Sequence, residues 1–253
     1  MTTAADIIET LRSMADEEQA RQLMRFFRTG KGDYGEGNRF LGLKCPQSRT
    51  VVKDARLDVP RDEIERLLAS EWHEVRFVGL MLIVEEMKDA LPRRREWPAT
   101  RGALRDDIAA FYLRHARRAN NWDLVDMSCP KVLGEWLLYP GGDGTMPGRD
   151  ILDRLVESDN LWEQRIGIVT TWRLIRAGQT ADTLRLAEKL LDHPHDLIHK
   201  ATGWMLREVG KQDLDALTDF LEARWHRMPR TALRYAIEKM DRATRLAWLQ
   251  RKL

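Results

Sequence analysis

Apolar residues recur every three or four positions along almost the whole chain, which is the spacing of one helix face. Ile7, Leu11, Met14 and Leu23 mark the first stripe, which Thr2 or Thr3 can cap and which runs toward Phe26-Phe27. A polar loop over 29–38 interrupts it. The pattern then predicts helices over 47–57, 61–70, 72–90, 99–119 and 122–138. Pro46, Pro60, Pro98 and Pro229 each stand where a first helical turn accepts proline. The sharpest break is 139–149, with Gly141, Gly142, Gly144, Pro147 and Gly148. Beyond it, helices are expected over 150–157, 160–177, 180–192, 195–210, 214–226, 230–239 and 242–252. No convincing strand alternation interrupts the series. Helices of ordinary length on short connectors predict an all-α fold, an α-solenoid of HEAT-like helical repeats forming a single domain over 1–253.

Composition narrows the class without naming a function. Nine tryptophans and 43% hydrophobic residues argue for an ordered globular chain. The net charge of +2 is the residue of 42 basic against 40 acidic side chains, so a one-sided basic face is compatible with it. Cys45 and Cys129 make neither a disulfide framework nor a metal-ligand spacing, which points to a reducing compartment. No apolar run approaches the ~18 residues of a membrane span, and the N-terminus lacks a signal-peptide core. A soluble cytoplasmic protein with no membrane partner is expected.

Three local motifs need weighing. Gly30-Lys31-Gly32-Asp33-Tyr34-Gly35 has the letters of a dinucleotide fingerprint, but a helix precedes it where that motif requires a strand. It remains either a phosphate-approaching loop or a mobile connector. His193, His195, Asp196 and His199 cluster at a helix start; His195 and His199 share a face, yet no fourth ligand accompanies them, so capping is favoured over zinc. Arg93-Arg94-Arg95 fits a solvated helix end or a nucleic-acid backbone contact equally well.

Trp122, Arg165 and Trp204 fall on predicted helices spaced by roughly one HEAT-type period of about 40–47 residues. Residues one period apart occupy equivalent helices and can line one wall. Trp122 and Asp126 lie one turn apart on the same face, although a core indole beside a surface carboxylate has the same spacing. Arg165, on an otherwise apolar helix, needs a partner or a wet groove.

Six segments now carry a resemblance: Gly30–Gly37, Phe40–Pro46, Asn121–Asp126, Asp159–Arg165, Lys200–Glu208 and Met228–Glu238. Taken in order, they make the chain similar to the AlkD-like DNA alkylation repair family, HEAT-repeat DNA glycosylases that remove alkylated purines, from about residue 20 to residue 240. The resemblance implies that Asp126 is the catalytic carboxylate, that Trp122 and Trp204 face the sugar, and that Arg165 faces the DNA. It implies excision of cationic N3- or N7-alkylated purines from duplex DNA without base flipping, by a monomer needing no cofactor or metal, nucleoid-associated when bound. Lys44 stands where some members carry glutamine. Phosphate contacts are expected from Lys31, Lys44, Arg49, Lys131, Lys200, Arg207, Arg230, Thr231 and Arg234 on a concave basic face. Two other classes compete: a DNA-structure-binding repair protein of this fold that lacks excision, and a protein-interaction scaffold.

Overall fold

Thr3 and Asp16 divide what the apolar stripe suggested was one helix. The Asp6 N–H donates to Thr3 Oγ1 (3.2 Å) and the Asp6 carboxylate accepts the Thr3 N–H (2.9 Å), a reciprocal cap that opens α1, Ala4–Ser13. Asp16 then takes extended backbone, accepts the Gln19 N–H at 3.0 Å, and starts α2, Glu17–Phe26. Its own N–H is committed to Leu41 O (2.9 Å), so no helical hydrogen bond can carry α1 through it. The structure, a computed structural model, describes residues 1–251. The final residue of the last predicted helix, Lys252, therefore lies outside the described residues.

The chain divides into two compact units, Met1–Met146 and Pro147–Leu253, at a point inside the glycine-rich break. In the first unit follow α3 (Cys45–Ala55), α4 (Arg61–Leu68), α5 (His73–Ala90), α6 (Gly102–Arg114), a 3-10 turn at Ala116–Arg118 and α7 (Trp122–Trp136). Helix α6 is shorter than expected at both ends. Arg101 adopts a left-handed φ of 58°, which starts the helix at Gly102 and leaves Pro98 in the preceding turn, and His115 leaves helical geometry at the other end. Helix α5 is apolar and buried on nearly every side; α3 and α7 flank it in one layer, while α4 and α6 pack behind. The α2 residue Ala20 joins Phe27 and Phe40 in a small core that reaches Trp122.

The second unit repeats a two-layer plan. Its helices are α8 (Asp150–Val156), α9 (Leu161–Arg176), α10 (Ala181–Lys189), α11 (Asp196–Gln212), α12 (Leu214–Arg224), α13 (Arg230–Ala236) and α14 (Arg242–Gln250). α9, α11 and α13 pack successively, with α8, α10 and α12 as their partners, and Trp248 of α14 joins Phe220 and Leu233 in the core. Gly203 permits the closest of these contacts. A Cβ there would lie 2.4 Å from Ala232 O, so α13 can approach α11 only because none exists. The result is an all-α fold of α-solenoid type, fourteen α-helices among the described residues with no strand beyond an isolated bridge, Arg39 to Trp72. None of the described helices is long and apolar enough to cross a membrane.

Candidate functional site

Helix α7 shows which of its residues are held for packing and which are offered outward. Leu124, Val125, Ser128, Cys129, Val132 and Leu133 are buried, whereas Trp122, Asp126, Met127 and Lys131 are only partly so. Those four follow i, i+4 and i, i+5 spacing, so indole, carboxylate, thioether and ammonium form one open stripe along the helix. Buried Asn121 fixes its start by accepting the Trp122 N–H at 2.8 Å. Behind the stripe the Tyr112 hydroxyl lies 2.8 Å from Ser128 Oγ. Burial raises that phenol well above its ordinary pKa, and the charges of Cys129 and Asp126 add to the effect.

The end of α2 meets the stripe at Trp122. The Phe27 ring centroid lies 5.3 Å from the indole, and Phe26, 63% exposed, meets it edge-on at 5.9 Å. Phe27 stacks on Phe40, and Phe40 stacks on His73 at 4.4 Å. His73 Nε2 in turn sits 2.8 Å from Asp123 Oδ2, fastening the first turn of α7 to α5. At the other end of the stripe, Arg49 Nη2 approaches Met127 Sδ at 4.0 Å while its Nε donates to Cys45 Sγ at 3.3 Å. The Lys131 ammonium has a lowered pKa, chiefly from burial and then from the charge of Arg49. Two neighbouring cations that repel one another are stabilised by an anion, and a phosphate oxygen would supply one.

Two further charged residues, both on α5, build the loops that frame this surface. Buried Glu74 accepts the N–H groups of Leu41 (2.9 Å), Gly42 (2.9 Å) and Leu43 (3.1 Å). The chain wraps this carboxylate through Gly42 at φ +91°, where a Cβ would strike Asp16 O at 2.0 Å. Arg76 donates to Ser70 O (2.8 Å) and to Asn38 Oδ1, and Asn38 Nδ2 holds Gly35 O at 3.1 Å. Burial, aided by Arg118, lowers the Arg76 pKa to about 10, so it remains charged at neutral pH. The glycine loop over 30–37 is thus a fastened turn, and Glu36 already accepts the Gly32 N–H at 2.8 Å. A helix, α2, precedes it where a dinucleotide fingerprint requires a strand, and the residues after it are irregular apart from the bridge at Arg39 until α3 begins.

The remaining predicted residues have varied settings. In the first unit Lys31 and Lys44 are exposed, Lys44 at the N-cap of α3 with its N–H bound to Gln47 Oε1 at 2.8 Å. In the second unit Trp204 is half-buried on α11, and Arg165 is buried, donating from Nη1 to Leu197 O at 2.6 Å. Lys200 pairs with Asp196 at 2.9 Å, which also accepts a hydrogen bond from the Thr231 side chain. Arg207 is held by Glu238 and by Glu208 at 3.4 Å. Arg230 and Arg234 are exposed, Arg230 donating to Leu249 O at 2.8 Å. The histidine cluster caps: His195 Nδ1 accepts the Leu197 N–H (3.1 Å) and His193 Nδ1 accepts the His195 N–H (3.0 Å). Among the described residues no group of His, Cys, Asp or Glu is arranged to hold a metal. His73, Glu74, Arg76 and Asn38 were not singled out by sequence, although three polar residues opening an otherwise apolar helix are a visible signal.

Comparisons with known proteins bear on this arrangement. The family model for the DNA alkylation repair enzyme matches residues 7–240. A solved structure, "Predicted DNA alkylation repair enzyme from Enterococcus faecalis", is similar with a TM-score of 0.63 and 16% identity, over 90% of this chain and 97% of that one. At that identity the likeness speaks for the fold. No curated protein matches the chain.

Proposed function

The chain belongs to the DNA alkylation repair enzyme family, and from that premise we propose that it is a DNA glycosylase hydrolysing the N-glycosidic bond of cationic N3- and N7-alkylated purines in duplex DNA. The observation that carries the reading is the open stripe of α7, which sets a carboxylate one turn from an indole with cations farther along. Alkylation at N3 or N7 makes the purine a good leaving group, and its departure gives the deoxyribose oxocarbenium character. Asp126 stabilises charge that exists only as that bond breaks. Two unit charges ~4 Å apart at an effective dielectric of ~20 attract by ~4 kcal/mol, an upper bound of roughly three decades in rate.

Trp122 offers a π face to the same sugar and favours positive charge through its ring quadrupole. Lys131 and Arg49 hold phosphates of the same strand, and Lys31 and Lys44 extend that contact. In the second unit Trp204 is assigned to the sugar and Arg165 to the backbone, with Lys200, Arg207, Arg230, Thr231 and Arg234 as further polar contacts. The lesion stays stacked, no cofactor is used, and the protein works as a monomer in the cytoplasm.

The test is release of free base from duplex DNA carrying 7-methylguanine. The native protein should liberate 7-methylguanine and leave an abasic site. Asp126→Asn should lose about a hundredfold or more of the rate, most of the electrostatic gain above, while binding the duplex within about twofold. Equal rates for the two proteins would overturn the role of Asp126. No release from any cationic lesion, with tight binding to branched DNA, would move the protein to structure recognition without excision.

A further inference from the structure

The loop joining α5 to α6 is built with more care than a connector needs. Arg105, wholly buried, donates from Nη1 to Ala90 O (2.9 Å) and Thr100 O (2.6 Å), and from Nη2 to Pro98 O (2.7 Å) and Pro140 O (2.7 Å). A buried guanidinium is tolerated when most of its donors are satisfied; here both terminal nitrogens reach two backbone carbonyls each, presented by the loop and its neighbour, and only Nε lacks a partner. Arg101 adds a second brace, donating to Asp89 O and to Leu91 O at 2.8 Å from its left-handed position. The base of the loop is clamped as well: Gly102 approaches Gly141 so closely that a Cβ would lie 2.2 Å from Gly141 O.

This scaffold holds its largest apolar side chain out in water. Trp97 is 76% exposed, and Arg93, Arg94 and Arg95 are exposed beside it. The one carboxylate among them is already used. Glu96 accepts the Arg93 N–H at 2.8 Å and pairs with Arg101 at 3.4 Å, whereas none of Arg93, Arg94 or Arg95 has an ion pair among the described residues. An exposed indole flanked by three guanidiniums, none in an ion pair and only Arg93 near enough to feel the charge of Glu96, is the donor set of a site that stacks a base and grips phosphates.

We propose that the α5–α6 loop is a second nucleic-acid site, for an unpaired DNA strand, in which Trp97 stacks on an exposed base while Arg93, Arg94 and Arg95 hold the adjoining phosphates. It rests on the reading of the protein as one that acts on DNA, and it adds a strand-end or gap contact to duplex binding. An intact duplex offers phosphates to the arginines but keeps its base faces stacked inside, so the indole gains a partner only where a strand is unpaired. Because Arg105 and Arg101 fix the loop beforehand, little ordering entropy is lost on binding.

The experiment compares three labelled probes by fluorescence anisotropy: oligothymidylate, a blunt duplex, and the same duplex with a short single-stranded overhang. The native protein should prefer the overhang duplex to the blunt one. Trp97→Ala should weaken overhang and oligothymidylate binding by roughly five- to a hundredfold, the range of one base–aromatic stack, and leave blunt-duplex affinity unchanged. Replacing Arg93, Arg94 and Arg95 together by Gln should flatten the salt dependence for oligothymidylate by about two units of slope. All four side chains are exposed, so thermal melting should match the native protein. An absent overhang preference, an unaffected Trp97→Ala variant, or equal losses on blunt duplex would each overturn the proposal, as would equal competition by polyglutamate. Base release from methylated duplex, which Trp97→Ala should retain, separates this proposal from the glycosylase reading.

Discussion

Glu74 illustrates how much a single side chain decides here. Its carboxylate gathers three consecutive backbone N–H groups, so the 41–43 segment folds around a charge and not around an apolar residue. Replacing it by Ala leaves three buried donors unsatisfied, and Glu74→Ala should cost about 3 kcal/mol, read as a lower denaturant midpoint at unchanged slope. Glu74→Gln keeps an acceptor oxygen and should cost less. A Glu74→Ala variant as stable as the native chain would show that the segment is held by other means. Asp126 is the converse case. Its type and its spacing from Trp122 are plain in the sequence, whereas its half-buried position belongs to the packing of α7.

Among the elements, α11 carries a pH dependence. His195 and His193 serve its N-terminus as acceptors, which requires neutral rings, and burial lowers both pKa values below 6.5. As pH falls through 6.5 the unfolded chain takes up protons before the folded one does. The stability supplied by this cap is therefore present at neutral pH and is lost progressively as pH drops toward the folded-state values. Hydrogen exchange of the first turn of α11 should accelerate relative to that of α12 between pH 7.5 and pH 5.5, on the scale of the free histidine pKa of about 6.5. His195→Asn, whose cap does not titrate in that range, should flatten the response; an unchanged response would locate the titration elsewhere. The elements also show where periodicity misleads. The stripe through Ile7, Leu11, Met14 and Leu23 is continuous, yet Asp16 breaks it because its side chain and its backbone both have better partners than a helix provides.

For the whole molecule, the proposed chemistry predicts selectivity by lability. A protein that leaves the lesion stacked depends on the cationic base departing readily, so N3- and N7-alkylated purines of differing bulk should be released, while neutral lesions such as 1,N6-ethenoadenine or uracil should be poor substrates. Release of neutral lesions at comparable rates would remove the electrostatic argument. Duplex binding should weaken steeply with salt, and replacing Arg49 and Lys131 together by Gln should reduce the slope of log affinity against log salt by about two. An unchanged slope would place the phosphate contacts elsewhere.

The sequence by itself determined the helical class, the position of almost every helix, the break at 139–149 and the family, because periodicity, prolines, caps and ordered motifs are local properties. It also placed Trp122 and Asp126 on one face, since i, i+4 neighbours coincide on any helix. Only the tertiary structure decided which side of α7 stays open, that Arg165 is buried, that Arg207 is committed to Glu238 and Glu208, and that His73 grips Asp123. It alone turned Arg93-Arg94-Arg95 from an undecided charge run into the rim of a braced loop displaying Trp97. The physical reason is one of range. Backbone preference acts over a few residues, whereas burial and the pairing of charge depend on partners that lie tens of residues away along the chain.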